Sequence, residues 1–197
     1  MKTERKKNKL RNQLQQQRAS LGIMEQALYS EMICKHVVGS NCFKNAQHIA
    51  FYTPVKGEAD PLGLHSLDIA NKSFYLPVLS PQKSFHLIFV KINDETRYKN
   101  NIYGIPEPIY TAEDIMPAEK LDLVIMPLVA VDRAGNRMGM GGGYYDRSFA
   151  FKKEPKINSP QLLGFAYDFQ LLDSLSAEAW DVPLDFITTN QELIETV

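Results

Sequence analysis

The sequence has little cysteine, little net charge and few long apolar runs. Its two cysteines, Cys34 and Cys42, have neither neighbouring metal ligands nor the company that a disulfide framework needs. We expect both to lie in or near a helix as small apolar side chains. The net charge of −1 over 197 residues excludes a general nucleic-acid binder.

Two further absences concern membranes and export. No stretch of the chain reaches the roughly 20 consecutive apolar residues that a membrane-spanning helix needs. The first residues are polar and rich in lysine, and they lack the apolar segment of a secretory signal. We therefore expect a cytoplasmic monomer whose residues 1–197 form one domain, with a helical segment at about 2–38 packed on it.

The most informative stretch of the chain is rich in glycine. Four of the five residues 139–143 are glycines, and Arg137 and Arg147 flank them. An apolar run at 121–131 precedes the stretch and predicts a buried strand, and a helix-compatible segment at 144–151 follows. Strand, glycine loop and helix are a common arrangement for anion binding, because open backbone N–H groups and the helix dipole both face the ligand.

These glycines fit neither of two familiar nucleotide-binding patterns. The Walker loop requires Lys-Ser/Thr after its last glycine, which this sequence lacks. In a dinucleotide fingerprint that begins at Gly139, the third glycine would fall on Tyr144. A glycine cluster can also be a plain turn. The adjacent rings of Tyr144 and Tyr145 favour a binding role, because exposed loop tips have no packing reason to carry them.

The N-terminal segment has the composition of helices. A first helix is predicted over residues 2–18 and a second over about 21–38. Lys7 and Arg11 share a face of the first helix because they are four residues apart. Three interpretations of that helix stay open: a solvated amphipathic helix, a nucleic-acid arm, or a helix that leans over a bound polyphosphate.

Strands and helices alternate along the rest of the chain, which predicts an α/β sandwich around a mostly parallel sheet. The predicted strands are 48–53, 73–78, 85–92, 121–131, 162–167 and 186–189, with a helix at 61–72 and a tight turn at 132–136. Ligands in such sheets bind at the carboxyl ends of strands. Glu58 and the glycine loop follow strands, whereas Asp185 precedes the last one.

Several motifs together resemble one family. The strongest is residues 136–147, Asn-Arg-Met-Gly-Met-Gly-Gly-Gly-Tyr-Tyr-Asp-Arg. Weaker ones run nearly end to end: Lys7-x-x-Leu10-Arg11, Tyr52 with Pro54 and Glu58, Tyr103-Gly104-Ile105-Pro106-Glu107-Pro108, and Asp181-Val182-Pro183-Leu184-Asp185. With these motifs the chain resembles the 5-formyltetrahydrofolate cyclo-ligase family, also called methenyltetrahydrofolate synthetase.

This resemblance implies a fold and a reaction. The fold would be a three-layer, Rossmann-like α/β/α sandwich similar to the sugar-phosphate isomerase and CoA-transferase group. The reaction would use ATP and Mg²⁺ to convert 5-formyltetrahydrofolate, a reduced folate, to 5,10-methenyltetrahydrofolate, with release of ADP and phosphate. The partners would be these small molecules alone, with no nucleic acid and no membrane.

The resemblance also implies roles for individual residues. ATP would be held by Lys7, Arg11, Arg137, Met138, Gly139, Met140, Gly141, Gly142, Gly143, Tyr144 and Tyr145. The folate would be contacted by Tyr52, Thr53, Glu58, Tyr103, Tyr144 and Tyr145. Mg²⁺ would be held, directly or through water, by Asp146 and Asp185.

The chemistry agrees with these residue types, because phosphorylating a formyl oxygen asks for positioning and charge neutralisation. A carboxylate ~4 Å from a phosphate is repelled by roughly 1–4 kcal/mol, and an intervening divalent cation reverses the sign. Asp146 is therefore interpreted as a Mg²⁺ ligand. Plainer roles stay open: a helix first-turn carboxylate for Asp146, a solvated loop acid for Glu58, a turn or cap for Asp185, and core rings for Tyr52 and Tyr103.

Two other functions compete with this one. The chain could be a nucleotide-binding module that is non-catalytic or of different specificity. It could also be a phosphosugar isomerase, which needs no ATP and would leave the Lys7 and Arg11 pair without a role. The four histidines have no acid or cysteine partner at a useful spacing, so no hydrolytic nucleophile is predicted.

Overall fold

The computed structural model describes residues 2–65, 71–154 and 156–196. Its α-helices are α1 (Lys2–Ala19), α2 (Ile23–Gly39), α3 (Asn41–Asn45) and α4 (Tyr144–Ser148). Its strands are β1 (His48–Ala50), β2 (Ser73–Leu79), β3 (Leu87–Ile92), β4 (Tyr98–Asn100), β5 (Pro106–Pro108), β6 (Ile115–Met116), β7 (Leu123–Pro127), β8 (Ala130–Asp132), β9 (Arg137–Met138), β10 (Gln161–Phe165), β11 (Leu171–Leu172), β12 (Phe186–Thr188) and β13 (Leu193–Glu195). The two predicted N-terminal helices are confirmed as α1 and α2.

Eight strands form the main sheet, in the order β13-β12-β10-β7-β1-β2-β3-β6. The central strands, from β12 through to β2, run parallel to one another, and antiparallel strands lie at both edges. The prediction of an α/β fold around a mostly parallel sheet is therefore confirmed. The carboxyl ends of the parallel strands meet at one edge, where ligands bind in sheets of this kind.

Both faces of this sheet are covered, because successive side chains of a strand point to opposite sides. On β7, Leu123 and Ile125 belong to the apolar cluster that includes α2 and α3. Their neighbours Val124 and Met126 belong to the opposite cluster, which includes Phe149 just after α4. This two-sided burial explains why the sequence of β7 is continuously apolar instead of alternating.

A smaller sheet, in the order β11-β8-β9, is built around a hairpin of β8 and β9. Asp132 fixes the turn of this hairpin, which confirms the turn predicted at 132–136. Its carboxylate accepts hydrogen bonds from the backbone N–H groups of Ala134, Asn136 and Leu175, at 3.1, 3.0 and 2.7 Å. The hairpin leads from the carboxyl end of β7 directly into the glycine loop.

Helix α1 packs on this smaller sheet. Leu14 is buried in a cluster with Val129, Ala130 and Met138, and Leu10 packs against the same cluster. The thin apolar stripe of α1 therefore has a defined docking surface, which sets where its cations lie.

Several predicted elements differ in extent from those observed: the strand predicted at 48–53 ends at Ala50, and the elements predicted at 121–131, 144–151 and 61–72 differ as well. The strand predicted at 121–131 breaks after Pro127, because the Leu128 carbonyl accepts a hydrogen bond from Gln170 Nε2 (3.0 Å) and not from a neighbouring strand. The helix predicted at 144–151 ends at Ser148, since Phe149 leaves the helical region to fill the core, and a 3₁₀ turn follows.

The helix predicted at 61–72 is represented by a 3₁₀ turn at Leu62–Leu64. Residues 66–70 lie outside the described residues, so the middle of that prediction is not described. None of the helices in the described ranges combines the length and the apolar character needed to cross a membrane.

Candidate active site

The glycine loop, residues 139–143, joins β9 to α4. Gly141 and Gly143 have φ angles of +100° and +64°, which side-chain-bearing residues rarely adopt. A β-carbon on Gly143 would lie 2.7 Å from Arg147 Nη1. The loop conformation therefore depends on glycine at these two positions.

The backbone N–H groups of this loop are available to a ligand. Among the described residues, none of the N–H groups of residues 139–143 donates a hydrogen bond to another part of the protein. Met140 is half-exposed, and its Sδ lies 2.9 Å from Gln15 Nε2 of α1. Because α4 has only five residues, its dipole adds less than predicted, and the loop amides are the main donors that this segment offers to an anion.

Helix α1 places one cation, Arg11, on this loop and carries a second, Lys7, one turn earlier. Arg11 Nε donates to the carbonyl of Gly139 at 2.9 Å. Lys7, one turn earlier, forms an ion pair of 2.7 Å with Glu178 Oε1. Helix α1 thus leans over the glycine loop through Arg11, and its contact with a polyphosphate stays a prediction.

Arg137 and Asp146 connect the two ends of the glycine loop. Arg137 Nη2 lies 2.6 Å from Asp146 Oδ1, and Arg137 also donates to the carbonyl of Val182. The Val182 N–H donates to the same Asp146 oxygen at 3.2 Å. Asp146 Oδ2 has no hydrogen-bond partner within the described ranges. One carboxylate oxygen of Asp146 is thus engaged in the protein and the other is available.

Asp185 lies at the amino end of β12 and is engaged elsewhere. Its Oδ2 accepts hydrogen bonds from Lys152 Nζ at 3.0 Å and from the Leu162 N–H at 2.7 Å. None of its hydrogen bonds or ion pairs within the described ranges involves the glycine loop or Asp146. The structure therefore does not join the two predicted metal ligands, and a metal role for Asp185 stays a prediction.

Glu58 lies in the loop that follows β1 and is buried, so it is not a solvated loop acid. Its Oε2 accepts from the Val55 N–H at 3.1 Å, and its Oε1 lies 3.4 Å from Arg18 Nη1. Burial raises the pKa of the Glu58 carboxyl group, and the charge of Arg18 opposes this rise. A buried, perturbed carboxylate in a loop at a strand end is typical of a functional group.

Tyr145, in the first turn of α4, is within electrostatic range of Glu58 in the loop after β1. Burial raises the pKa of the Tyr145 hydroxyl, and the neighbouring Glu58 carboxylate raises it further. The Tyr145 ring stacks on Phe149 at 6.4 Å between centroids. The charge of Glu58 therefore reaches a residue that was predicted to contact both ATP and folate.

Aromatic side chains form an exposed wall beside the glycine loop. The hydroxyl groups of Tyr103 and Tyr144 are 2.9 Å apart, and their rings meet edge to face. This hydrogen bond is the main cause of the raised pKa of Tyr144. Phe85 packs on Tyr144 with centroids 5.7 Å apart. Exposed rings of this kind offer a surface on which a flat heterocycle stacks.

Tyr52 and Thr53 contact protein groups. Tyr52 is 3% exposed, and its hydroxyl donates to the carbonyl of Ala59 at 2.5 Å, so its ring is placed as a core ring would be. Thr53 Oγ1 lies 3.4 Å from the carbonyl of Pro106, which links this loop to the segment carrying Tyr103. Folate contact by Tyr52 or Thr53 stays a prediction.

Sequence reasoning missed three residues of this region. Arg18 is a buried partner of Glu58, Glu178 is the partner of Lys7, and Phe85 extends the aromatic wall. Arg18 and Glu178 lie 40 and 171 positions from their partners, so no local spacing could identify them. Within the described residues, no group of three or more His, Cys, Asp and Glu side chains is placed to hold a metal ion.

Comparisons with known proteins agree on one family. Residues 3–190 match the model of the 5-formyltetrahydrofolate cyclo-ligase family. The chain is 36% identical over 180 residues to the 5-formyltetrahydrofolate cyclo-ligase of Haemophilus influenzae, covering 91% of this chain and 95% of that protein. It is 38% identical over 152 residues to that of Escherichia coli K12, covering 76% and 81%.

Solved structures give the same result. The NMR structure of 5,10-methenyltetrahydrofolate synthetase from Aquifex aeolicus matches with a TM-score of 0.81 at 28% identity, covering 96% of this chain and 92% of that one. The corresponding protein of Mycoplasma pneumoniae matches with a TM-score of 0.71 at 26% identity, covering 93% and 98%.

Proposed function

The chain belongs to the 5-formyltetrahydrofolate cyclo-ligase family, and from this premise we propose how its residues divide the work of that reaction. The enzyme converts 5-formyltetrahydrofolate to 5,10-methenyltetrahydrofolate with ATP. The observation that carries the residue assignment is the glycine loop, whose N–H groups have no partner within the described ranges and whose neighbour is Arg11.

The glycine loop holds the phosphates of ATP. Its amides at 139–143 supply hydrogen-bond donors, and Arg11 and Lys7 supply positive charge from α1. Glu178 is the present partner of Lys7, so phosphate oxygens take its place when the nucleotide binds. Arg137 contributes mainly through the shape of the loop, because its guanidinium group is bonded to Asp146 and Val182.

The residues beside the loop fit a magnesium ion. Mg²⁺ is bound in such sites by one or two carboxylates together with substrate phosphates. Asp146 meets this need through Oδ2, which has no partner in the part of the chain that the structure describes, while Oδ1 is fixed by Arg137. Asp185 would join only through water or after leaving Lys152. When bound, the ion neutralises phosphate charge that Asp146 would otherwise repel.

The folate lies between Glu58 and the aromatic wall. Glu58 accepts hydrogen bonds from the N–H groups of the pterin, and its burial makes such bonds strong. Tyr103 and Tyr144 stack against the flat part of the substrate, and Tyr145 contacts the substrate beside them. Tyr52 supports Glu58 from within the core through its bond to Ala59.

These positions suit a reaction in two steps. The formyl oxygen attacks the γ-phosphorus of ATP, which releases ADP and leaves a phosphorylated iminium on the folate. The N10 nitrogen then attacks the formyl carbon, loses its proton, and phosphate departs with the former formyl oxygen. Neither step needs a covalent bond to the protein, so the residues act by orienting two substrates and neutralising charge.

The same proposal covers the location of the enzyme, its oligomeric state, its partners and the relationship of its fold. The enzyme acts as a cytoplasmic monomer and binds neither nucleic acid nor membrane, in line with its net charge of −1. Its fold is related to the sugar-phosphate isomerase and CoA-transferase group, in keeping with a parallel sheet that is covered on both faces.

One assay tests the function. Protein mixed with ATP, Mg²⁺ and 5-formyltetrahydrofolate near neutral pH produces the methenyl chromophore in the near ultraviolet. No change in absorbance would reject the proposal.

A pair of variants tests the residue assignment. Arg11→Ala raises the KM for ATP about 10- to 100-fold, because one charge-assisted hydrogen bond is lost. Lys9→Ala, an exposed cation of the same helix, leaves it unchanged. Equal effects of the two substitutions would contradict the role of Arg11.

A further inference from the structure

Arg18, in the last turn of α1, has a fully buried guanidinium group that the assignment above does not use. It is 1% exposed and is among the largest fully buried side chains of the described residues. Arginine is almost never buried unless it is paired, because removing its charge from water is costly. The charge of Arg18 must therefore be stabilised by specific partners inside the protein.

The guanidinium group of Arg18 joins three separate segments. Its Nε donates to the carbonyl of Lys56 at 3.1 Å. Its Nη1 lies 3.4 Å from Glu58 Oε1 and 3.4 Å from the carbonyl of Leu128. These contacts tie α1 to the loop that carries Glu58 and to the turn that leads into the β8–β9 hairpin. Its Nη2 is buried and has no partner in residues 2–65, 71–154 and 156–196.

The charge of Glu58 depends on this contact. Burial raises the pKa of Glu58, whereas Arg18, the Val55 N–H and the charge of Lys56 lower it. The phenol groups of Tyr52 and Tyr145 also lie near the carboxylate, and neither carries a positive charge. Arg18 is the ion-pair partner of Glu58 among the described residues. At 3.4 Å the pair is long, so Oε1 keeps acceptor capacity for a ligand.

We propose that Arg18 is a positioning residue for folate recognition: it fixes the ionised Glu58 carboxylate toward the substrate and makes that recognition depend on the docking of α1. The proposal rests on the folate role of Glu58 proposed above. Arg11 and Arg18 lie seven residues apart, which is two helical turns or about 10 Å along the axis. One helix thus serves the phosphate subsite with Arg11 and the folate subsite with Arg18.

The test compares the two Michaelis constants in Arg18→Gln and Arg18→Lys. In Arg18→Gln the KM for 5-formyltetrahydrofolate rises about tenfold or more, as expected for one weakened charge-assisted hydrogen bond, while the KM for ATP stays within about twofold. Arg18→Lys keeps the charge but cannot reach all three acceptors, so it raises the folate KM less.

The pH profile separates positioning from a general loss of structure. The ionised Glu58 carboxylate accepts hydrogen bonds from the pterin at both oxygens and more strongly than the protonated acid does, so kcat/KM for folate falls as pH drops through its pKa. Removing Arg18 takes away a charge that lowers this pKa. The acidic limb of kcat/KM therefore moves to higher pH in Arg18→Gln and moves less in Arg18→Lys. In Glu58→Gln this limb disappears, and adding Arg18→Gln to that variant raises the folate KM little further.

Controls keep the inference separate from the proposed function. Lys9→Gln removes an exposed charge from α1 and changes neither KM. Lack of turnover by the wild-type enzyme would overturn the proposed function. Normal wild-type turnover together with an unmoved acidic limb, or with a parallel rise of both KM values, would overturn the role of Arg18 alone. If Arg18→Gln does not fold, Arg18→Lys decides: a raised folate KM at unchanged ATP KM supports the proposal, and an unchanged folate KM overturns it.

Discussion

At the scale of single residues, the two oxygens of Asp146 have different surroundings. Oδ1 accepts hydrogen bonds from the Arg137 guanidinium group and from the Val182 N–H. Oδ2 accepts none from the described residues. The plainer interpretation of Asp146 as a helix first-turn carboxylate explains neither the ion pair nor its orientation. Asp146 does lie in the first turn of α4, so that interpretation stays open beside our proposal that the carboxylate is held at one oxygen and offers the other to a cation.

Substituting Asp146 with Asn tests this arrangement. The variant keeps the shape of the side chain but loses its negative charge, so the Mg²⁺ concentration for half-maximal activity rises about tenfold or more. A magnesium titration of the activity measures this shift, with the exposed Asp173→Asn as the matched control. An unchanged titration in Asp146→Asn would remove this residue from the metal site.

Residue types near a motif could be predicted from the sequence, and distant partners could not. The glycines, Arg137 and Asp146 stand within one stretch, and Glu58 follows a strand. Arg18 lies in a polar helix, and its sequence neighbours give no sign that it is buried. Its burial depends on Leu128, which lies 110 positions away.

At the scale of elements, the stability of the glycine loop and its proposed binding of ATP both depend on its backbone conformation. Gly141→Ala forces a side chain into φ +100° and costs about 1–2 kcal/mol, which lowers Tm by roughly 2–8 °C. The altered amide directions also raise the KM for ATP. Gly139→Ala is the matched control for stability, because an added β-carbon there meets no atom within 4 Å. Equal losses of Tm in the two variants would contradict this account.

The docking of α1 is a second feature at the scale of elements, because it holds Arg11 and Arg18 at the site. Leu14→Ala removes the side chain that packs on Val129, Ala130 and Met138, at a cost of about 2–4 kcal/mol. The helix then separates from the smaller sheet more often, so the KM values for ATP and folate both rise, since Arg11 and Arg18 leave together. Trypsin also cleaves α1 faster, because a helix that has left its docking surface unfolds locally more often and exposes its backbone to the protease.

The control for this prediction is Gln13→Ala, an exposed neighbour on the same helix. It should match the wild type in both KM values and in its rate of cleavage. If Leu14→Ala behaved like this control, α1 would not need its docking surface to serve the site.

Element boundaries show where sequence patterns reach their limit. The apolar run at 121–131 correctly predicts burial but not the break after Pro127. The break arises because Arg18 and Gln170 bind the Leu128 carbonyl, and both come from other parts of the chain. Likewise, the residues after Tyr144 have helical character, yet α4 ends early so that Phe149 can enter the core.

At the scale of the whole molecule, Lys7 and Glu178 join the first helix to a segment near the end of the chain. An exposed ion pair of this kind contributes about 0–1 kcal/mol. In the proposed function it competes with the phosphates of ATP for Lys7. Glu178→Gln therefore lowers the KM for ATP by about two- to fivefold, within the range set by that energy.

The chain's single tryptophan reports this exchange. Trp180 is exposed and stands two residues from Glu178. Its fluorescence should change when ATP is added to the wild-type protein and change less in Glu178→Gln. A higher KM in the variant would show that the pair assists nucleotide binding instead of competing with it.

The overall architecture was accessible from the sequence because alternation of strands and helices is a local property. The mostly parallel sheet and its two covered faces follow from this alternation and from the apolar runs. The arrangement of α1 against the smaller sheet was not accessible. Its apolar stripe is thin, and its docking surface combines the hairpin with residues beyond position 168.

The same arrangement fixes an order of events during synthesis. Helix α1 precedes its docking surface in the chain, because that surface includes Val129 and Met138 of the hairpin and Leu172 and Leu175 of the following segment. A nascent chain shorter than these positions carries a cationic helix with no surface to receive it. Both substrate subsites are therefore completed only after residues as far as Leu175 have emerged, so α1 packs into place well after it has been translated.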